Sequence, residues 1–352
     1  MKVYLSRTKD NESDSSIAAK VKNLTESIGL KKLIKKNDLV ALKIHFGEKK
    51  GPGYIKPEWL KPLITFIKKA GGKPFLTDTN TLYVGNRSNA VDHLAMAEKH
   101  GFSFANLGIP IIIGDGLRGE NQISLPTETG LISRAHLAGV VKTADVIIGL
   151  AHFTGHLLTG YGGALKNIGM GLAARGGKLA QHSGLLPQIL DQCRGCEVCA
   201  QWCPADAIQL KNNKATINPE TCYGCGECLA VCPHQAVKIA WDESSGNVQK
   251  KMVEYCRAII KETKTCFFNF AINVTKDCDC MNKHSPVIAP DVGVLASSDP
   301  VALDFATFQL VNRQAGSTNI FKKHWPQLDP LVQTSYGEQI GLGTTSYELI
   351  EI

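Results

Sequence analysis

Eight cysteines stand in two copies of one spacing, and each copy closes on proline: Cys193, Cys196, Cys199 and Cys203-Pro204, then Cys222, Cys225, Cys228 and Cys232-Pro233. This spacing is the ligand framework for two [4Fe-4S] clusters, in which the fourth cysteine of each run ligates the other cluster. It assigns Cys193, Cys196, Cys199 and Cys232 to one cluster, and Cys222, Cys225, Cys228 and Cys203 to its partner. A chain with this framework is expected to handle electrons one at a time.

At 352 residues the chain has room for a large core, and one main domain plus a small module fits that length better than a single unit. Met1 to Leu5 reads as a first strand rather than a signal peptide, and no apolar run approaches the length of a membrane span. A soft thiolate array needs reduced sulfur, so the expected location is cytoplasmic. The formal charge of +7 invites a nucleic-acid reading. Each oxidised cluster with four thiolates carries −2, however, which brings the balance down to about +3. The basic residues are also dispersed. Lys31, Lys32, Lys35 and Lys36 flank a helix end, Lys49 and Lys50 sit in a loop, and no aromatic residues interleave with them. Neither a nucleic-acid nor a membrane partner is expected.

Before the cysteine runs, strands alternate with helices. Residues 17–35, 57–69, 88–100 and 133–143 have helical patterning, whereas 39–45, 73–78, 110–115 and 146–150 read as strands. After the runs the rhythm resumes, with helices over 250–261 and 300–310 and strands over 266–274 and 292–295. The expected fold is α/β, a mostly parallel sheet with helices on both faces. Residues 1–186 and 243–352 would form this discontinuous body, with residues 187–242 inserted as an α+β ferredoxin-like module. Inside the module each cysteine run precedes a short extended piece, 207–210 and 236–239. Its apolar side chains (Trp202, Ile208, Leu210, Ile217, Val231, Val237, Ile239 and Trp241) make little core, so the clusters must supply much of its order. Gly195, Gly224 and Gly226 suit backbone that wraps closely around inorganic sulfide.

Polar residues gather at the carboxyl ends of the strands, where open α/β sheets place ligands. These are His45, Asp78 with Thr79, Asp115, His152 with Thr154 and His156, and the run Asp277-Cys278-Asp279-Cys280. Each alone could be a cap or a hydrogen-bonded loop residue; their shared placement points to a site. Cys278 and Cys280 could ligate an additional metal with His45, His152 or His156, act as redox thiols, or sit in a turn, and Asp279 could supply a proton. Cys256 and Cys266 lie among apolar neighbours and read as core. The run from Gly160 to Gly171 is neither a P-loop nor a dinucleotide motif. Its Lys166 could pair with a small anionic substrate at a helix start, or its glycines could serve close helix packing. His182, near the module junction, is a satisfied loop residue or lines an electron route.

The flanking body resembles the DUF362 family of uncharacterised iron-sulfur proteins. The likeness rests on His152-Phe153-Thr154-Gly155, on Gly163-Ala164-Leu165-Lys166-Asn167-Ile168-Gly169-Met170-Gly171, on Asp277-Cys278-Asp279-Cys280, and on residues 291–304, which include Ser298-Asp299-Pro300-Val301-Ala302-Leu303-Asp304. Residues 190–240 resemble the bacterial two-cluster ferredoxins. The larger resemblance names no reaction. The leading expectation is an iron-sulfur oxidoreductase that takes electrons from a soluble donor protein and passes them to a substrate or metal held by His45, His152, His156, Lys166, Cys278, Asp279 and Cys280. The alternatives are a redox carrier or sensor without substrate chemistry, and a metal- or anion-binding module.

Overall fold

Apolar runs whose side chains alternate between two faces build one sheet of eight strands: β1 Lys2–Arg7, β2 Leu39–Lys43, β3 Lys73–Asp78, β4 Ile111–Ile113, β5 Val146–His152, β6 Lys264–Ala271, β7 Gly293–Ser297 and β8 Glu348–Glu351. The spatial order is β8-β1-β7-β6-β5-β2-β3-β4. Every neighbouring pair is parallel except those of β7, which runs antiparallel to both β1 and β6. The fold is thus α/β with a mostly parallel sheet. This computed structural model describes residues 1–352 apart from Pro52, Val84, Thr129, Gly184, Leu185, Tyr223 and residues 240–242. The module residue Trp241 and the boundary at Asp242 lie outside the described residues.

Both faces of the sheet are covered, which is why its strands read as near-continuous apolar runs. On one face Val40, Leu42, Val146, Ile148 and Phe268 pack against Val21 and Leu24 of α1 (Asp14–Ser27) and Trp59 and Leu63 of α2 (Pro57–Lys69). On the other face the alternate residues Ala41, Ile147, Phe267 and Leu295 meet three helices. These are α4 (Ala164–Gly169), α6 (Ser245–Glu262) and α7 (Pro300–Gln314), with α3 (Ala90–Lys99) and α5 (Arg175–His182) completing the set used below. Truncating a fully buried residue such as Leu42 to alanine is expected to cost about 2–5 kcal/mol. Cys256 and Cys266 are buried in these layers.

Two helical expectations are corrected. Residues 133–143 hold a strand, Arg134–Ala138, paired with Gln122–Pro126, and only then a short helix, Val140–Thr143. Ala135 and Leu137 are buried while Arg134 and His136 are not, a period of two that the following valines disguise. The helix expected over 17–35 stops at Ser27, because Gly29 takes a left-handed φ of 74° before a 3-10 turn at Leu30–Lys32.

The cysteine-rich insert lies between α5 and α6. It pairs Gln188–Ile189 with Val237–Lys238, forms a hairpin from Ile208–Lys211 and Lys214–Ile217, and holds helical turns at Val198–Gln201 and Glu227–Val231. The two cysteine runs have the same backbone. Left-handed φ values recur at matching offsets, 61° at Gly195 and 72° at Gly224, 62° at Glu197 and 73° at Gly226, 49° at Asp206 and 50° at Gln235. Trp202, expected in the insert's core, is instead exposed, with the Arg118 guanidinium 3.9 Å from its ring centroid.

Candidate functional site

Because β2, β3 and β5 are parallel, their carboxyl ends share one edge, and a cavity of about 350 Å³ opens there. That size suits a small-molecule site. His45, His152, His156, Lys166, Cys278, Asp279 and Cys280 all line it. Asp115 and Asp277 do not: Asp115 turns inward to accept hydrogen bonds from Asn80, and Asp277 pairs with Lys283 and Ser285.

The cavity is rich in buried cations. Lys43 Nζ lies 3.0 Å from Asp78 Oδ1 and donates to Asn167 Oδ1 at 3.0 Å. Arg87 bonds Glu48 through Nε at 2.7 Å and reaches Asp78 Oδ2 at 3.4 Å. Burial pushes the Asp78 carboxyl up, but Lys43, His93 and Arg87 together hold it well below the usual range. Lys178 Nζ donates to Thr79 Oγ1 at 2.6 Å, and Lys166 Nζ points at Cys278 Sγ, 4.0 Å away. Neither lysine forms an ion pair among the described residues. Burial, reinforced by Lys43 and a nearby arginine, lowers each to about 8. Both therefore titrate close to neutrality.

The three histidines fall into two protonation states. His152 places Nδ1 2.8 Å from Asp279 Oδ2 and Nε2 2.7 Å from Ile272 O, so both nitrogens donate. Burial opposes its charge, yet Asp279 and the Ile272 carbonyl raise its pKa overall. With both nitrogens engaged, His152 has no lone pair for a metal. His156 Nδ1 accepts from Leu158 N and Thr159 N, each at 3.2 Å, which leaves the proton on Nε2. His45 Nδ1 accepts from Gly47 N at 3.0 Å, and its buried Nε2 has no hydrogen-bond partner among the described residues. Burial and neighbouring cations keep both of these rings neutral, so each offers an N–H.

Cys278 and Cys280 are joined in a disulfide. Their sulfurs and a ring nitrogen of His156 lie within 4.8 Å of one another, a grouping that could hold a metal ion once the sulfurs are thiolates and His156 Nε2 has given up its proton. The glycine-rich run divides its work. Asp304 Oδ1 and Oδ2 accept from Ala164 N and Leu165 N at 2.7 and 2.9 Å, so the start of α4 is capped by this chain's own carboxylate rather than left for a substrate. A Cβ on Gly169 would fall on Met252 O, so that glycine serves the packing of α4 on α6. From this run Gly162, Gly163, Lys166, Asn167, Met170 and Gly171 line the cavity.

In the insert, the Cys199 thiol is raised by burial and by the surrounding Cys232, Cys193 and Cys196. Cys225 is raised by burial and sits near Cys203 and Cys222. Cys193, Cys196, Cys199 and Cys232 together line one small concavity, and none of the eight cysteines is in a disulfide. Backbone amides approach the sulfurs equivalently in both runs: Ala207 N lies 3.3 Å from Cys203 Sγ, and Ala236 N 3.2 Å from Cys232 Sγ. The group containing Cys225 adjoins the body. A Cβ on Gly176 of α5 would sit 3.2 Å from the Cys225 Cα, and one on Gly226 would meet Leu82, a cavity residue, at 2.6 Å. Buried Arg175 binds Glu227 across this seam at 2.6 Å. Cys196, in the other group, is exposed.

Lys43, Arg87 and Lys178 escaped the sequence reading. Lys43 had a signal, a cation inside a strand otherwise buried on both faces; Arg87 and Lys178 had none. His182 does line the cavity.

The fold and site together define an α/β protein with a cation-lined cavity at the sheet edge, a group within it that could hold a metal ion and a cysteine-rich insert beside it. A family model described as "Domain of unknown function (DUF362)" matches residues 40–309, and the chain belongs to that family. No curated protein matches it. Among similar solved structures are a protein from Thermotoga maritima, at 13% identity and a TM-score of 0.47, and the lactate racemase apoprotein from Thermoanaerobacterium thermosaccharolyticum, at 12% and 0.40. The matches cover 88% and 76% of this chain but only 60% and 50% of those chains. No helix among the described residues is long and apolar enough to cross a membrane.

Proposed function

We propose that this chain is an iron-sulfur reductase acting on a small anion held in the sheet-edge cavity. The observation that carries the reading is the pair of crossed four-cysteine groups, one of which is backed directly by the helix that walls the cavity. The donor sets fit two [4Fe-4S] groups: four soft thiols per set call for a multiply charged metal core, and backbone amides point at the sulfurs. When bound, such groups supply low-potential electrons one at a time. Residues 187–242 would then be the ferredoxin-like domain. Exposed Cys196 marks the side where a soluble donor protein would dock, in a cytoplasmic setting.

The body's residues supply the rest. Protonated Lys166 and Lys178 attract the anion, and the His45 and His156 Nε2–H groups orient it. The His152–Asp279 pair fixes the loop above it. A carrier or sensor without substrate would need no such cavity. Anaerobic purification with iron and sulfide analysis tests the reading. About eight irons and eight sulfides per chain are expected; iron-free protein with an insert folded around zinc or disulfides would overturn it.

A further inference from the structure

The disulfide Cys278–Cys280 spans two residues of sequence and sits in the cavity wall. A cross-link closing so short a loop removes little entropy from the unfolded chain, so structural stapling does not explain it. Its loop is already held by other means. Asp279, between the two cysteines, is fastened by His152 at 2.8 Å, and the Tyr83 hydroxyl donates to Cys280 O at 3.1 Å. The sulfurs can part without the loop losing its anchors. Lys166 Nζ stands 4.0 Å from Cys278 Sγ, and a His156 nitrogen is within 4.8 Å of both sulfurs.

We infer that Cys278 and Cys280 form a redox-active pair that cycles between disulfide and dithiol in the cavity, with Lys166 as its proton partner. The inference rests on the reductase reading for its reductant, a pair of one-electron iron-sulfur centres. Two electrons break the S–S bond. One proton passes from the Lys166 ammonium to the Cys278 sulfur and is replaced from solvent. The Cys280 sulfur is left as a thiolate beside the His156 ring. The balance is one disulfide, two electrons and one proton giving one thiol and one thiolate. The pair thereby collects single electrons into a two-electron donor, and the substrate it serves is a small anion reduced by two electrons.

Two measurements test this. The iron-loaded full chain is titrated anaerobically with photoreduced deazaflavin, alkylated and peptide-mapped by mass. Cys278 and Cys280 should be unlabelled before reduction and both labelled after it. The wild type should take up about two more electrons than Cys278→Ser/Cys280→Ser with the same iron content. Free thiols at both positions in the oxidised protein, a metal recovered on them, or equal electron uptake would overturn the inference. Separately, labelling of the wild type and Lys166→Met in dithiothreitol buffers of graded ratio reports on the pair independently of iron. Lys166→Met should need a buffer about tenfold more reducing, and identical curves would overturn the role of Lys166. Iron and sulfide content, measured on the same samples, reports separately on the reductase reading.

Discussion

His152 Nδ1 lies 2.8 Å from Asp279 Oδ2, and this contact ties the loop of Cys278 and Cys280 to the end of β5. Both side chains are under a tenth exposed, so each neutralises a charge that the other would leave stranded.

His152→Ala should therefore destabilise the protein by about 3–5 kcal/mol, the range for breaking a buried pair. The folded-state pKa of His152 is raised, so its contribution is fully present below the unfolded value of 6.5 and is lost as pH rises through the folded value. Urea unfolding of both proteins at stepped pH checks this. A gap between them that widens with rising pH would contradict the assignment.

Anion binding should follow the two cavity lysines, Lys166 and Lys178. Lys166 and Lys178 titrate at about 8, and only their protonated forms attract an anion. Affinity for inorganic sulfate, measured by calorimetry, should hold below pH 8 and fall above it by about tenfold per pH unit for each lysine required. Lys166→Met should weaken binding at pH 7 by about tenfold or more.

The crossed cysteine groups predict an uneven effect of mutation. Cys232→Ser should disturb the centre held by Cys193, Cys196 and Cys199, and Cys203→Ser the centre held by Cys222, Cys225 and Cys228. Electron paramagnetic resonance of the reduced variants, each compared with Cys196→Ser, distinguishes them. If Cys232→Ser altered only the signal that Cys225→Ser also alters, the crossed assignment would fail.

Gly169→Ala should cost about 1–3 kcal/mol by overpacking, since the new methyl group falls on the α6 backbone at Met252. Thermal melts report it, and an unchanged midpoint would mean that α4 and α6 can move apart freely.

The sheet was legible because strands such as Val146–His152 carry unbroken apolar runs with polar residues at their carboxyl ends. That same pattern placed His45, His152 and Cys278 on one edge. What escaped was set by distant contacts. Arg134–Ala138 becomes a strand only because Gln122–Pro126 pairs with it. The free-looking start of α4 is closed by Asp304, 140 residues away along the chain from Ala164. Arg87 and Lys178 sit outside any motif, and only the folded sheet brings them beside Asp78 and Thr79.

Arg175 is almost wholly enclosed, with its Nη1 on Glu227 of the insert and its Nε on Thr81 O of the cavity rim. Neither side of the seam can be completed alone. On the function proposed above, an insert that had not taken up its clusters would be expected to loosen the Glu227 contact to this guanidinium and, with it, the rim around Leu82, so that filling of the insert and closure of the cavity would be coupled.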